Sequence, residues 1–494
     1  MDTIEHLLIV IPAKLPAAHW KDLPNGAKLH ALCKQRKLSD SPVRTRLSNK
    51  AQTGVSLQSL AKPPTGDELP SMFELLSFAG KLATEALREN PASIGLLIEG
   101  FKPEAVAAIR RALVLALAGQ SFSLQEFKSK DTPGSRLRTV HILGEHEHAD
   151  LGRTLTEAAA NNLARWLTAL PPNKLDTGTY RALLMALSKR HGWQMQFLGE
   201  SDLRRIGAGA FLAVAQGNAN RDAGIAHIRY RPADKSRAAK SKSTHPQLAL
   251  VGKGIIFDTG GTNLKPFKGM LDMHQDMAGS AVAIATLMAL TELGYPHPVD
   301  CWLAITENRL SNAAYKPRDI VTASNGTTIE VVHTDAEGRM ALADTLALAG
   351  KEQPQTILDF ATLTGTCVSA LTERYSGAFT NRAGLHPAII DAGQQSGERV
   401  WPFPLDADFD EEIKSEVADV LQCAPDGGGD HIQAARFLGR FVPEGVAWIH
   451  LDLSSASRKG GLAQISTSVT GFGVRFALQF ILDQAATLSK HSGS

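Results

Sequence analysis

The chain reads as an α/β protein in two parts: a small N-terminal α/β domain, then a larger α/β domain with a mixed, largely parallel central sheet flanked by helices. Three observations predict this. From Leu248 onward, short apolar runs of strand character alternate with segments of helical periodicity, as in a parallel sheet with crossover helices. The first 150 residues show the same mixture on a smaller scale. Between them, an Ala- and Leu-rich helical stretch over 151–170 stops at Pro171-Pro172-Asn173, a strong breaker. The expected division is an N-terminal domain over 1–150, a linking helix over 151–175 and a second domain over 176–494.

Taken in order, Leu7–Pro12 and Ile94–Ile98 are apolar runs with strand character. Pro103 opens a helix with apolar positions at Val106, Ile109, Leu113 and Leu117, and Gly119 is its expected stop. Thr139–Leu143 reads as a further strand. Leu248–Val251 is an apolar run before a Gly-rich turn. Asp276–Leu293 has helical spacing and ends at Gly294. Val299–Ile305, Ile329–Val332 and Ile357–Ala361 read as buried strands, with a helix over Met340–Ala349. Val446–Leu453 is a late strand, and Phe472–Ile481 opens a terminal helix.

Composition limits the function classes. Apolar residues make up 43% of 494, enough for a sizeable core, and the net charge of +2 steers the whole toward neither nucleic acid nor an anionic membrane. Residues 1–65 are locally basic, with ten Lys/Arg against four Asp/Glu, and 231–246 is a polar, basic stretch that reads as a surface loop. Four scattered cysteines form no C-x-x-C, which argues against a disulfide scaffold or a thiolate zinc site. The acidic N-terminus with its short apolar run lacks the pattern of an export signal, and no run is long enough to span a bilayer. The expected compartment is the cytoplasm.

The chemistry concentrates between Val251 and Arg339. Val251-Gly-Lys-Gly254 places Lys253 between two glycines at a strand end, and Asp258 precedes the Gly260-Gly261 pair. Lys265 follows in Asn-Leu-Lys-Pro266. Asp276 sits at the expected first turn of a helix, where the dipole favours a carboxylate. In His333-Thr-Asp-Ala-Glu-Gly-Arg339, Asp335 and Glu337 are two apart, so an extended backbone aims both at one side. Four converging carboxylates repel by several kcal/mol at low dielectric and stay ionised only among cations. Two divalent ions would balance them, as in two-metal hydrolases, with a carboxylate between the ions bridging both. A lysine can ligate only as a neutral amine; a second lysine, as ammonium, would polarise a substrate carbonyl. Each residue alone has a plainer reading as a turn, a cap or a solvated charge. Glu145-His-Glu-His148 lacks metal-ligand spacing and reads as a solvated loop. There is no G-x-S-x-G elbow and no P-loop.

Order and spacing together change this. The chain resembles the leucyl (cytosol) aminopeptidase family, whose signature Asn-Thr-Asp-Ala-Glu-Gly-Arg-Leu stands here as His333-Thr-Asp-Ala-Glu-Gly-Arg-Met340. Val251-Gly-Lys-Gly254, Phe257-Asp258, Lys265-Pro266, Asp276-Met277, Glu307-Asn308, Ala361-Thr-Leu-Thr-Gly365 and His450-Leu-Asp452 follow in the family's order. The resemblance covers roughly 150–485 and makes the second domain the catalytic metallopeptidase domain. It implies that Lys253, Asp258, Asp276 and Glu337 hold one divalent ion, and that Asp258, Asp335 and Glu337 hold the other, zinc or manganese. It gives Lys265 the scissile carbonyl or the metal-bound oxygen, Arg339 a bicarbonate ion that takes a proton from the attacking water, and Met273, Thr362 and Leu363 the substrate pocket. The implied activity is removal of Leu- or Met-like first residues from peptides by a homohexamer of two stacked trimers. Two features depart from the family: His333 and Met340 in the signature, and Arg309-Leu-Ser-Asn312 where Met-Pro-Gly-Gly is usual. Rival readings are a nucleic-acid binder using the basic 1–65 and 231–246 segments, which the neutral charge disfavours, and an inactive homologue, which the complete ligand set disfavours.

Overall fold

The computed structural model describes residues 3–35, 42–61, 69–130, 132–144, 151–232 and 245–491. The chain divides into two compact units. One is Met1–Ala159 with Gln394–Gly397 and Lys459–Ser468, and the other is the remainder. The expected loops at 145–148 and, for the most part, at 231–246 fall outside the described residues.

In the first unit, β1 (His6–Pro12), β2 (Val43–Arg46), β3 (Gly54–Leu60), β4 (Ser93–Ile98) and β5 (Thr139–Leu143) form one sheet in the order β2-β3-β1-β4-β5. Every pair is parallel except β2–β3. Its helices are α1 (Gly26–Gln35), α2 (Met72–Leu87) and α3 (Pro103–Ser121). A capping box between Ser71 and Glu74 starts α2. Leu8, Val10, Leu76, Ala79, Leu113 and Leu117 close one core between helices and sheet. Helix α3 starts at Pro103 as expected but runs through Gly119 to Ser121, and Gly119 is buried within it. Gly119 is not among the positive-φ glycines, and a glycine ends a helix this way only when it turns left-handed. Helix α4 (Gly152–Ala169) is divided between the two units at Ala159.

The second unit holds β6 (Gln194–Gly199), β7 (Gly224–Tyr230), β8 (Leu248–Asp258), β9 (Val299–Asn308), β10 (Ile320–Thr322), β11 (Thr328–Glu330), β12 (Thr356–Ala361), β13 (Ser376–Thr380), β14 (Val400–Pro402), β15 (Val420–Leu421) and β16 (Ala447–Asp452). Eight of them make a mixed sheet, β14-β13-β16-β12-β8-β9-β7-β6. Its central four, β16, β12, β8 and β9, are mutually parallel, while β13, β7 and β6 join antiparallel. Helices α5 (Ala278–Glu292), α6 (Glu337–Lys351), α7 (Asp430–Gly439) and α8 (Val474–His491) belong to this unit. Helix α5 is buried over its full width from Ala278 to Leu290, which suits its almost wholly apolar sequence.

The expected buried strand at Ile329 is present as β11, which ends at Glu330 and pairs β10 and β15 in a separate three-stranded sheet. One expectation changes: β8 does not stop at Val251 for a Gly-rich turn but continues to Asp258. Gly252 serves close packing, since a Cβ there would meet the Ser280 backbone of α5 at 2.5 Å. Among the described residues, no helix is long and apolar enough to cross a membrane. All four cysteines are buried and unbridged.

Candidate functional site

The parallel strands β8, β9, β12 and β16 end at Asp258, Asn308, Ala361 and Asp452. Open α/β sheets bind ligands at such carboxyl ends. A cavity of about 510 Å³ lies there, lined by Lys253, Asp258, Lys265, Met273, Asp276, Asp335, Glu337, Thr362 and Leu363. Of the site residues expected from sequence, Arg339 is absent from this wall.

Local structure brings each group in. The register of β8 against β9 shifts between Ile255 and Asp258, an irregularity of the kind that re-aims a side chain at a strand end. Asp276 closes a 3-10 turn, Met273–Gln275, and so stands before α5 rather than in its first turn. Asp335 and Glu337 converge by a different route from the extended one expected. Asp335 lies in a turn and Glu337 is the first residue of α6. Asp258, Asp335 and Glu337 each offer a carboxylate oxygen, all within 4.8 Å of one another.

The two lysines divide the cluster. Lys253 Nζ lies 2.8 Å from Asp276 and 2.9 Å from Glu337, and donates to the Thr362 carbonyl at 2.9 Å. Gly338 leaves room for it, because a Cβ at that position would meet Lys253 Nζ at 2.6 Å. Lys265 Nζ lies 2.9 Å from Asp258 and 2.5 Å from Asp335. Thr362 Oγ1 donates to Asp276 at 2.7 Å. Asn308 Nδ2 donates to Asp258 at 2.8 Å and to the Thr334 carbonyl at 2.9 Å, which ties β9 to the turn carrying Asp335.

The charges remain unbalanced. Two ammonium groups face four carboxylates. Burial and the neighbouring Asp258 push Glu337 up to about 8; burial, opposed by Lys253 and reinforced by Asp258, pushes Asp276 up to about 6. Burial and Asp258 also raise Asp335, against the pull of Lys265. Burial alone would lower Lys253, but Asp276, Glu337 and Asp258 outweigh it and hold the ammonium above its ordinary value. Lys253 therefore becomes a ligand only by giving up a proton. A compact set of hard oxygen donors with surplus negative charge fits divalent cations.

The anchor expected for bicarbonate does not fit in the same way. Arg339 is 2% exposed, and its Nη2 donates to both carboxylate oxygens of Asp430, at 2.8 and 2.7 Å. Its Nη1 donates to the Gln422 carbonyl at 3.2 Å. The guanidinium already carries an anion from its own chain.

His333 is exposed, and its Nδ1 accepts the Asp335 N–H at 3.2 Å, so it shapes the turn. In the departing loop, Arg309 lies 5.5 Å over the Phe257 ring and Leu310 is exposed. Sequence reasoning assigned no role to Asn308, Asp452 or Asp430. Asp452 accepts the Leu363 N–H at 3.1 Å and the Thr364 hydroxyl at 2.7 Å, holding the cavity wall.

The model of the cytosol aminopeptidase family catalytic domain matches residues 162–478. A probable cytosol aminopeptidase of Parasynechococcus marenigrum is 36% identical over 82% of both chains. Among solved structures, a tomato leucine aminopeptidase mutant is 26% identical with a TM-score of 0.83, covering 97% of this chain and 94% of that one. The bottromycin maturation enzyme BotP, in complex with Mn, is 26% identical with a TM-score of 0.82, covering 97% of this chain and 99% of that one.

Proposed function

The chain belongs to the cytosol aminopeptidase family, and from that premise we propose that it is a two-metal aminopeptidase releasing Leu- or Met-like first residues from peptides. The observation that carries this reading is the convergence of Asp258, Asp276, Asp335, Glu337, Lys253 and Lys265 in one cavity at the ends of parallel strands. Lys253, Asp258, Asp276 and Glu337 would hold one ion, and Asp258, Asp335 and Glu337 the other, zinc or manganese. When bound, the ions would supply a water nucleophile near neutral pH and neutralise the carboxylates. Catalysis is assigned to residues 176–494.

The chain's own groups do the rest. Lys265, at the more open side of the cluster with 15% of its side chain exposed, is positioned to donate to the carbonyl oxygen of the scissile bond as negative charge develops there. Asp452 fixes Leu363 and Thr364, and Thr362 orients Asp276. Met273, Leu363, Val368, Leu453 and Ala456 give the cavity an apolar side for the first side chain. Such a surface discriminates by only ~1–3 kcal/mol per methylene. A panel of aminoacyl amides tests the reading. Leu and Met amides are expected to turn over fastest; equal rates for Asp and Leu amides would remove the preference, and no release from any would remove the activity.

Metal uptake should displace protons. Asp276 and Glu337 hold theirs up to about 6 and 8 without a cation, so acid competes with the ion. Cation affinity is expected to rise most steeply with pH through that window and more gently above it, where Lys253 must still give up its proton to ligate, with proton release visible when calorimetry is repeated in buffers of different ionisation enthalpy. An affinity flat across the window would contradict the ligand set. The reading extends to a cytoplasmic homohexamer built as a dimer of trimers. Sedimentation of the full chain should give a single species of six chains, and a monomer would overturn that part alone.

A further inference from the structure

The group left over by this reading is Asp430. It is the first residue of α7 and follows the run Gly427-Gly-Gly429, with Gly429 in the left-handed region at φ 71°. Its neighbour His431 is pinned: the backbone N–H donates to Thr366 Oγ1 at 2.9 Å, and the ring packs edge-on against Phe403. Thr366 directly follows Gly365, which lines the cavity. On the other side, Asp430 receives both short hydrogen bonds from Arg339 Nη2, and Arg339 stands two residues after Glu337 on α6. Arg339 thus holds the carboxylate from α6, while its neighbour His431 ties the start of α7 to the element that carries Gly365.

Both bonds leave one nitrogen, Nη2, rather than forming the parallel two-nitrogen fork, but they are short and charge-assisted, and such bonds are stronger than neutral ones. Arg339 is almost fully buried while the Asp430 side chain is 23% exposed. A dissolved anion would have to expel a tethered one that pays no translational cost to bind. The family resemblance assigns this arginine a dissolved bicarbonate; here its Nη2 is taken by the Asp430 carboxylate and its Nη1 by the Gln422 carbonyl, leaving only the buried Nε without a partner.

We infer that Asp430 is the resident anion of Arg339, and that this enzyme works without bicarbonate. The inference rests on the aminopeptidase reading for its catalytic part only. Asp430 is a positioning residue, acting through Arg339, and it takes up the place that a small carboxylate-like anion would otherwise fill.

The test uses the metal-loaded full chain and bicarbonate itself as the probe. With the native protein, calorimetric titration should give no saturable binding, and leucine amide turnover should be the same in bicarbonate-depleted and bicarbonate-containing buffer. Asp430→Ala should bind bicarbonate saturably. Its turnover should fall by about 10–100-fold in depleted buffer, the range for groups that support a metal centre from behind, and recover when bicarbonate is added. Asp430→Asn, which keeps the side chain's shape without its charge, should be slow and not rescued; it serves where the alanine variant fails to fold. Saturable binding or stimulation of the native protein, or full activity of either variant in depleted buffer, would overturn the inference. The binding arm reads it even without catalysis: the expected binding pattern with no amide hydrolysis at all would fault the aminopeptidase reading and not this one.

Discussion

Glu337→Ala is expected to abolish release of leucine from a chromogenic amide and to lower the metal content of the purified protein. Glu337 is 1% exposed and begins α6, beside Asp258, Asp335 and Lys253. In the proposed assignment it touches both ions, so no neighbouring group can replace it. Changes in groups that merely support metal ligands already cost about 10–100-fold in affinity or activity, so loss of a shared ligand should exceed ~100-fold in both readouts. Activity and metal content are to be measured on one preparation. Full activity with metal intact would sink the two-ion assignment, whereas lost activity with retained metal would confine Glu337 to a role in the reaction.

Lys265→Ala should separate the two lysines. Turnover should fall by about 10²–10³-fold, the range for removing one donor to a developing oxyanion, with metal content unchanged. The geometry favours this order of roles. Lys253 is 3% exposed, bonded to the Thr362 carbonyl and fitted into the space Gly338 leaves, whereas Lys265 is 15% exposed. Steady-state kinetics should place the loss in kcat more than in KM, since the contact strengthens in the transition state. A variant that loses its metal instead would mean that the assignments of Lys253 and Lys265 are reversed.

The site was more legible in the sequence than the fold around it. Asp258, Asp276, Asp335 and Glu337 are marked by residue type and spacing, and the structure brings all four to one cavity. The manner of convergence was not legible, because a turn and a helix start take the place of an extended segment at 335–337. Strand β7 escapes a periodicity search because it buries polar groups: His227 hydrogen-bonds Asp300 on β9 at 2.8 Å, so its pattern is neither alternating nor uniformly apolar. The true length of β8 was hidden by Gly252 and Gly254, which read as a turn but admit α5 and β9 at close range. Asp430 carried no local signal. An acidic residue after three glycines reads as a helix cap, and only the tertiary structure pairs it with an arginine 91 residues earlier.

The most direct test is anomalous diffraction from crystals of the native protein grown with manganese. Two peaks per chain are expected in the cavity: one against Lys253, Asp258, Asp276 and Glu337, the other against Asp258, Asp335 and Glu337. A single peak, or peaks away from Asp258 and Glu337, would contradict the two-metal centre.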